Sequence, residues 1–305
     1  MQNRPLLAAA FILAGTAIVS FVDQFIRVIA EQSSLWTFHA LRSAMILAVA
    51  GAWLAVTGDR VAVHRWRAVI ARSIILSTAL IIYFGALGFL SVAEAAAGLF
   101  TAPIWVLILS VGLFRLRIGP VRVAAVLMGF AGVLLVLSPD ADGLNLWVFA
   151  PVLGGAFYAL GAIATREWCG PETALALVLG SFAALGLWGL GGIAVLSLFD
   201  GGAGFLGQGW ITPTAEVLFW CVVQAIGSLV AVFFLTRGYQ SADASIVSVF
   251  EYAVLAFSAL FGWLVWGDLL PPLGLLGLAL IAAAGSLIVL RGRNGAPDPD
   301  ATTRR

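Results

Sequence analysis

Glu251 stands in the middle of an otherwise apolar run, Asp243–Trp266, and Tyr252 follows it directly. If the run is helical, Glu251 lies about 12 Å from its start, near the middle of a hydrocarbon core about 30 Å thick. An ionisable side chain at that depth costs roughly 2.5–3.5 kcal/mol on insertion scales. It reads either as a proton-coupling or cation-binding carboxylate, or as a structural Glu bonded to a neighbouring helix. Tyr252 and Gln224 are its expected hydrogen-bond partners. A second group of charges sits nearer the ends of two other runs. Asp23, Arg27 and Glu31 are four residues apart and share one face of a continuous helix. Arg42, three residues after His39, lies about 10 Å inside the next run. An Asp23–Arg27 or Asp23–Arg42 pair would be either a gate that breaks and remakes or a fixed ion pair that orients two helices.

Uncharged polar and aromatic residues complete the set. Gln224 and Ser228 are one turn apart with Trp220 a turn earlier, Thr78 and Tyr83 share another run, and Tyr158 lies in a third. Phe100 and Trp105 flank Pro103, which frees backbone groups between them. As a set these residues suit a cavity for a planar or zwitterionic small molecule. Taken singly, each suits an interhelical hydrogen bond or packing contact, the hydrogen bonds being worth about 0.6 kcal/mol on average in a membrane.

The elements that must position them are membrane helices. Of the 305 residues, 62% are apolar and 10% charged, and the mean hydropathy is +1.07, far from the roughly 25% charged of a soluble domain. A net charge of +1 lacks the basic stripe that nucleic acid requires. Cys169 and Cys221 form no CxxC pair, and the two histidines, His39 and His64, are too few for a His-based metal site. No cofactor motif, Walker loop or HExxH is present. Ten stretches are long enough to span: Leu6–Ala30, Leu35–Thr57, Ala68–Gly88, Ser91–Phe114, Val121–Leu137, Leu146–Trp168, Thr173–Leu198, Ala215–Thr236, Asp243–Trp266 and Pro271–Leu290.

All 16 basic residues are Arg, and all but Arg27 and Arg42 fall in the tails or in alternate loops and their flanks, including Arg60, Arg65, Arg67, Arg115, Arg117, Arg122, Arg166 and Arg237. The other loops hold Asp140, Asp142, Asp200 and Asp268. By the positive-inside rule both termini are cytoplasmic.

The chain also repeats. At an offset of 150, Phe84, Gly88, Ser91 and Phe100 align with Phe234, Gly238, Ser241 and Phe250; at 153, Ala131-Gly132 aligns with Ala284-Gly285. The ten helices divide five plus five, and an odd number per copy forces opposite orientations. The expected organisation is a first repeat over 1–137, a short outward-facing linker at 138–145, a second repeat over 146–293 and a disordered cytoplasmic tail at 294–305.

The stretch Thr236–Arg293, with its tyrosine-bearing turn, its Gly262-Trp263-x-x-x-Gly267-Asp268, a following Pro and a Gly-rich last helix, resembles the EamA type of the drug/metabolite transporter superfamily. Pro103, Asp23 and Arg27 also fit, although Glu is commoner than Asp268 and Lys is frequent where Arg27 stands. The closest-looking subset is that of S-adenosylmethionine- and riboflavin-type carriers. The resemblance implies an all-α inner-membrane protein whose central cavity is lined by helices 1, 3, 4, 6, 8 and 9, with 5 and 10 peripheral. It implies alternating-access transport of a small organic metabolite, amino-acid-like, nucleoside-like or vitamin-like, with membrane lipids and coupling protons as further partners; a homodimer is compatible with this. The other classes weighed are a drug exporter, a non-transport partner subunit for lipid-linked substrates, and an intramembrane enzyme, the last poorest because no nucleophile–base constellation is present.

The charge asymmetry is directly testable. A cysteine at Asp142, in a background lacking Cys169 and Cys221, should react with an impermeant maleimide added outside intact cells. Reaction only after permeabilisation would reverse the assigned orientation.

Overall fold

The computed structural model describes residues 4–58, 61–86, 90, 92–137, 147, 149–199, 201–202 and 204–294. The linker 138–145, Arg60, Asp140, Asp142, Asp200, Gly88, Ser91 and the tail 295–305 lie outside the described residues. The structure is all-helical, with ten helical stretches long and apolar enough to cross a membrane among the described residues. Helix is the expected solution, because a lipid-facing backbone must satisfy its hydrogen bonds within its own segment.

Seven of the ten are single helices: α3 (Leu35–Thr57), α4 (Trp66–Ala86), α7 (Pro120–Leu137), α8 (Phe149–Glu167), α9 (Ala174–Leu198), α10 (Ala215–Ser241) and α13 (Pro272–Asn294). Three are broken. Span 1 is α1 (Pro5–Asp23) plus α2 (Ile26–Gln32), span 4 is α5 (Val92–Leu99) plus α6 (Ala102–Gly112), and span 9 is α11 (Ala244–Glu251) plus α12 (Ala253–Trp266). Pro103 does not interrupt a continuous helix as expected. It sits in the first turn of α6, where the missing N–H would be unpaired anyway.

Local chemistry sets the ends. Ser34, Thr173 and Thr214 each cap the following helix through the side-chain oxygen, accepting from the N–H of Thr37, Ala176 and Val217. Gly58 and Gly267 terminate α3 and α12 at φ 70° and 77°, a left-handed conformation that a side chain resists.

The main packing pairs are span 1 with span 8, span 3 with span 6, span 2 with span 7, span 5 with span 10, span 4 with span 6 and span 9 with span 1. Advancing every number by five, and counting past ten from one again, returns the same set. Two inverted copies would pack this way.

Small residues set the close approaches. A Cβ on Gly132 of α7 would lie 2.6 Å from the Gly277 carbonyl oxygen on α13, and one on Gly277 would meet the Gly132 carbonyl in turn. Backbone cannot move aside as a flexible side chain can. Gly132→Val should therefore cost about 1–3 kcal/mol, read as a lower melting temperature in detergent. Gly51→Ala is the control, since its Cβ meets nothing within 4 Å.

Candidate functional site

Glu251 is the last residue of α11, and the chain breaks at Tyr252 before α12 begins. Its side chain is buried, and both carboxylate oxygens are taken. The Tyr158 hydroxyl on α8 donates to Oε1 at 2.7 Å, and the Tyr239 hydroxyl on α10 donates to Oε2 at 2.6 Å. Phenol-to-carboxylate bonds are charge-assisted and stronger than neutral ones. Tyr158 in turn lies within electrostatic reach of Arg72, a buried guanidinium held by Thr165 Oγ1, the Leu177 carbonyl and Ser181 Oγ. Two consecutive helices, α10 and α11, and the distant α8 therefore converge on one carboxylate.

The expected partners of Glu251 are not the ones found. Consecutive residues on a helix point about 100° apart, so Tyr252 leaves the site. Its ring packs with Val133, Leu255 and Ile281 and lies against Gly129, 6.4 Å from the Phe100 ring. Its hydroxyl is buried without a hydrogen-bond partner. Gln224 belongs to the other group of charges. Its Nε2 donates to the Val22 carbonyl at 2.6 Å and to Asp23 Oδ1 at 3.2 Å, and its Oε1 accepts from Ser228 Oγ.

The Asp23–Arg27–Glu31 face is interrupted, because α1 ends at Asp23 and α2 starts at Ile26. Arg27 turns to Asp268 at 3.8 Å and stacks over the Trp266 ring at 3.4 Å. Among the described residues Asp23 forms no salt bridge with Arg27 or with Arg42, although its charge acts on both Arg42 and Tyr83. Asp23 is exposed, while Gln224 beside it is buried. The ring of Phe25, in the break between α1 and α2, stacks on that of Trp220, one turn before Gln224 on α10, at 3.9 Å and 10° from parallel. Arg42 comes from span 2, outside the set of lining helices that the resemblance implied.

The remaining expected residues divide differently. Trp105 packs against the largest hydrophobic cluster and Phe100 against the Tyr252 cluster, so both serve packing. Thr78 is half-buried. The residue that sequence reasoning missed is Tyr239. It stands near the end of α10, where only the fold places it opposite Glu251.

The end of the bundle rich in arginine is tied together. Asp243 accepts from Arg122 at 3.3 Å and from Arg166 at 3.1 Å, joining α7, α8 and the start of α11. The buried Glu172 carboxylate accepts the backbone N–H groups of His64 and Arg65. Between α6, α7, α8 and α11 a recess of about 180 Å³ opens at this end. Its walls include Ile163 and Ser245, about 7–9 Å along their helices from Tyr158 and Glu251.

A ten-span helical bundle with a buried, hydrogen-bonded carboxylate inside it suits a membrane carrier. The EamA-like transporter family profile matches residues 6–138. The chain is 32% identical to a riboflavin transporter of Rhizobium johnstonii over 219 residues, covering 66% of this chain and 67% of that one. It is 24% identical to a pseudopaline exporter of Pseudomonas aeruginosa, covering 70% and 72%. It is 25% identical to an S-adenosylmethionine uptake transporter of Rickettsia felis, covering 62% and 60%. A crystal structure 19% identical in sequence shares the fold at a TM-score of 0.76, over 94% of this chain and 98% of the other. The chain belongs to the EamA-like transporter family and is a multi-pass membrane transporter of small metabolites.

The tyrosine grip on Glu251 predicts energetic coupling. A double-mutant cycle of Tyr239→Phe with Glu251→Gln should give an interaction of about 1.5 kcal/mol in thermal or denaturant stability. The same cycle with Tyr252→Phe should give none.

Proposed function

We propose that this protein is a secondary active carrier that moves a small organic metabolite by alternating access, with Glu251 as the coupling or cation-binding carboxylate. The observation that carries the reading is the double grip of Tyr158 and Tyr239 on a buried Glu251 at the break of span 9. A carboxylate held only by hydroxyl donors has no fixed countercharge among them, so a proton or a cationic group can supply one. The helix is interrupted directly after Glu251, and interrupted spans are how carriers place ion and substrate sites near the midplane.

The repeat supports the same reading. At the offset of 150, Phe100 and Thr101, in the break of span 4, correspond to Phe250 and Glu251, the last two residues before the break of span 9. Interruptions at matched places in two halves are the pattern expected around a carrier's site. In this proposal 1–137 and 146–293 are the two inverted halves and rock against each other. The recess at the arginine-rich end leads toward Glu251 and is clasped by Asp243. The arginine bias makes that end cytoplasmic, in the inner membrane, with both termini inside.

Relatives named for riboflavin and S-adenosylmethionine support a substrate with a planar heteroaromatic ring, for which the Phe25–Trp220 stack is a suitable surface. Relatives named as transporters, together with the absence of a nucleophile–base pair in the sequence, support a non-enzymatic role. A riboflavin transporter and a pseudopaline exporter among the relatives leave direction to the coupling chemistry rather than to the fold.

The test uses protein reconstituted in liposomes, with riboflavin and S-adenosylmethionine as first cargoes. Glu251→Gln keeps the shape and removes the charge. It should abolish accumulation driven by an imposed pH gradient while leaving the melting curve near that of the wild type. Wild-type accumulation by the folded variant would reduce Glu251 to a structural residue.

A further inference from the structure

Arg42 is a buried cation without a carboxylate contact. It is 5% exposed and belongs to no ion pair among the described residues. One nitrogen, Nη2, approaches His39 Nδ1 at 3.3 Å, and the guanidinium lies over the Phe38 ring at 4.6 Å. Among the described residues its Nε is buried with no acceptor, and His39 Nε2 is buried with no partner. With Nδ1 facing an arginine donor, the neutral imidazole carries its proton on Nε2. The unused positions on both residues are therefore donors.

Arg72 shows what a structural arginine looks like in this bundle. It is buried to a similar degree, yet its nitrogens donate to Thr165, Leu177 and Ser181 on two neighbouring helices. Arg42 has no such set of oxygen acceptors. The nearest countercharge, Asp23, is in electrostatic range but is bonded to Gln224 and is exposed. A guanidinium fork with free N–H groups matches the two oxygens of a carboxylate. The aromatic rings of Phe38 and Phe84 beside His39 lower the local dielectric and strengthen such a contact.

We propose that Arg42, supported by His39, is an anion-binding subsite that takes the carboxylate of a small organic ligand entering past Asp23. Asp23 then acts as the competing anion, held back by Gln224 while the subsite is filled. That the ligand is the transported molecule rests on the carrier reading; the subsite itself does not.

Acetate is the probe, measured by thermal unfolding of the purified full-length protein. Acetamide is the neutral isostere, and sodium chloride at equal ionic strength controls for salt. Acetate should raise the melting temperature of the wild type saturably, by mass action, and the two controls should not. Arg42→Gln should lose the response, and Arg42→Lys should keep a weaker one. Asp23→Asn removes the competitor and should lower the half-saturating acetate concentration at least about threefold. Glu251→Gln should respond like the wild type, so failure of the coupling role and failure of this subsite are separable. Equal effects of acetate and chloride on the wild type would overturn the proposal, as would an undiminished response in Arg42→Gln. If Arg42→Gln does not fold, an unchanged half-saturation in Asp23→Asn overturns it.

Discussion

A charge inside an apolar bundle has to be solvated by the protein itself. Most of the internal architecture of this chain follows from how it meets that demand at Glu251. Two tyrosyl hydroxyls, from α8 and α10, stand in for water around the carboxylate. Each comes from a different helix, so the carboxylate also fixes how α8, α10 and α11 sit relative to one another. An unmade bond at such a buried group costs far more than a made one contributes. The arrangement therefore tolerates little loosening unless a proton or a ligand takes over part of the work.

The same demand is met differently elsewhere in the bundle. Arg72 is surrounded by neutral oxygens and acts as a brace between α4, α8 and α9. At the arginine-rich end Asp243 is shared by two arginines, and Glu172 holds the chain before α4 by its backbone. At the other end Arg27 meets Asp268 in a solvent-exposed pair, of the kind worth little to stability and easily broken. Ser34, Trp36 and Thr37 at the start of α3 hold the 205–211 segment by hydrogen bonds. The two ends are thus fastened by unlike means: a shared-charge clasp on one side, and backbone and neutral contacts with one weak pair on the other. A bundle that opens alternately needs fastenings that can be exchanged, and small differential affinities suffice to shift such a balance.

Membership of a transporter family does not decide cargo. Fold is retained across members whose names include importers and an exporter, because the packing of spans rests on small residues and apolar surface. Recognition rests on a handful of polar side chains that face the interior. In the proposed reading those are Glu251 with its two tyrosines, and the Asp23–Gln224–Ser228 chain beside Arg42.

The ten spans were legible from sequence because hydropathy and length are properties of a segment by itself. Segment ends agreed to within a few residues for α3, α7, α9 and α12. The rotation of each helix and the identity of its neighbour were not legible. Tyr252 adjoins Glu251 in sequence and Tyr239 stands twelve residues before it, yet Tyr239 grips the carboxylate and Tyr252 packs against Gly129. Arg27 was expected to face Asp23 on an unbroken helix, but the break after Asp23 sends it to Asp268, more than two hundred residues away in sequence. Local composition determines which stretches enter the membrane and how deep each residue lies. Which side chains meet is a three-dimensional property, set by helix breaks and by the close approaches that glycines such as Gly132 and Gly277 permit.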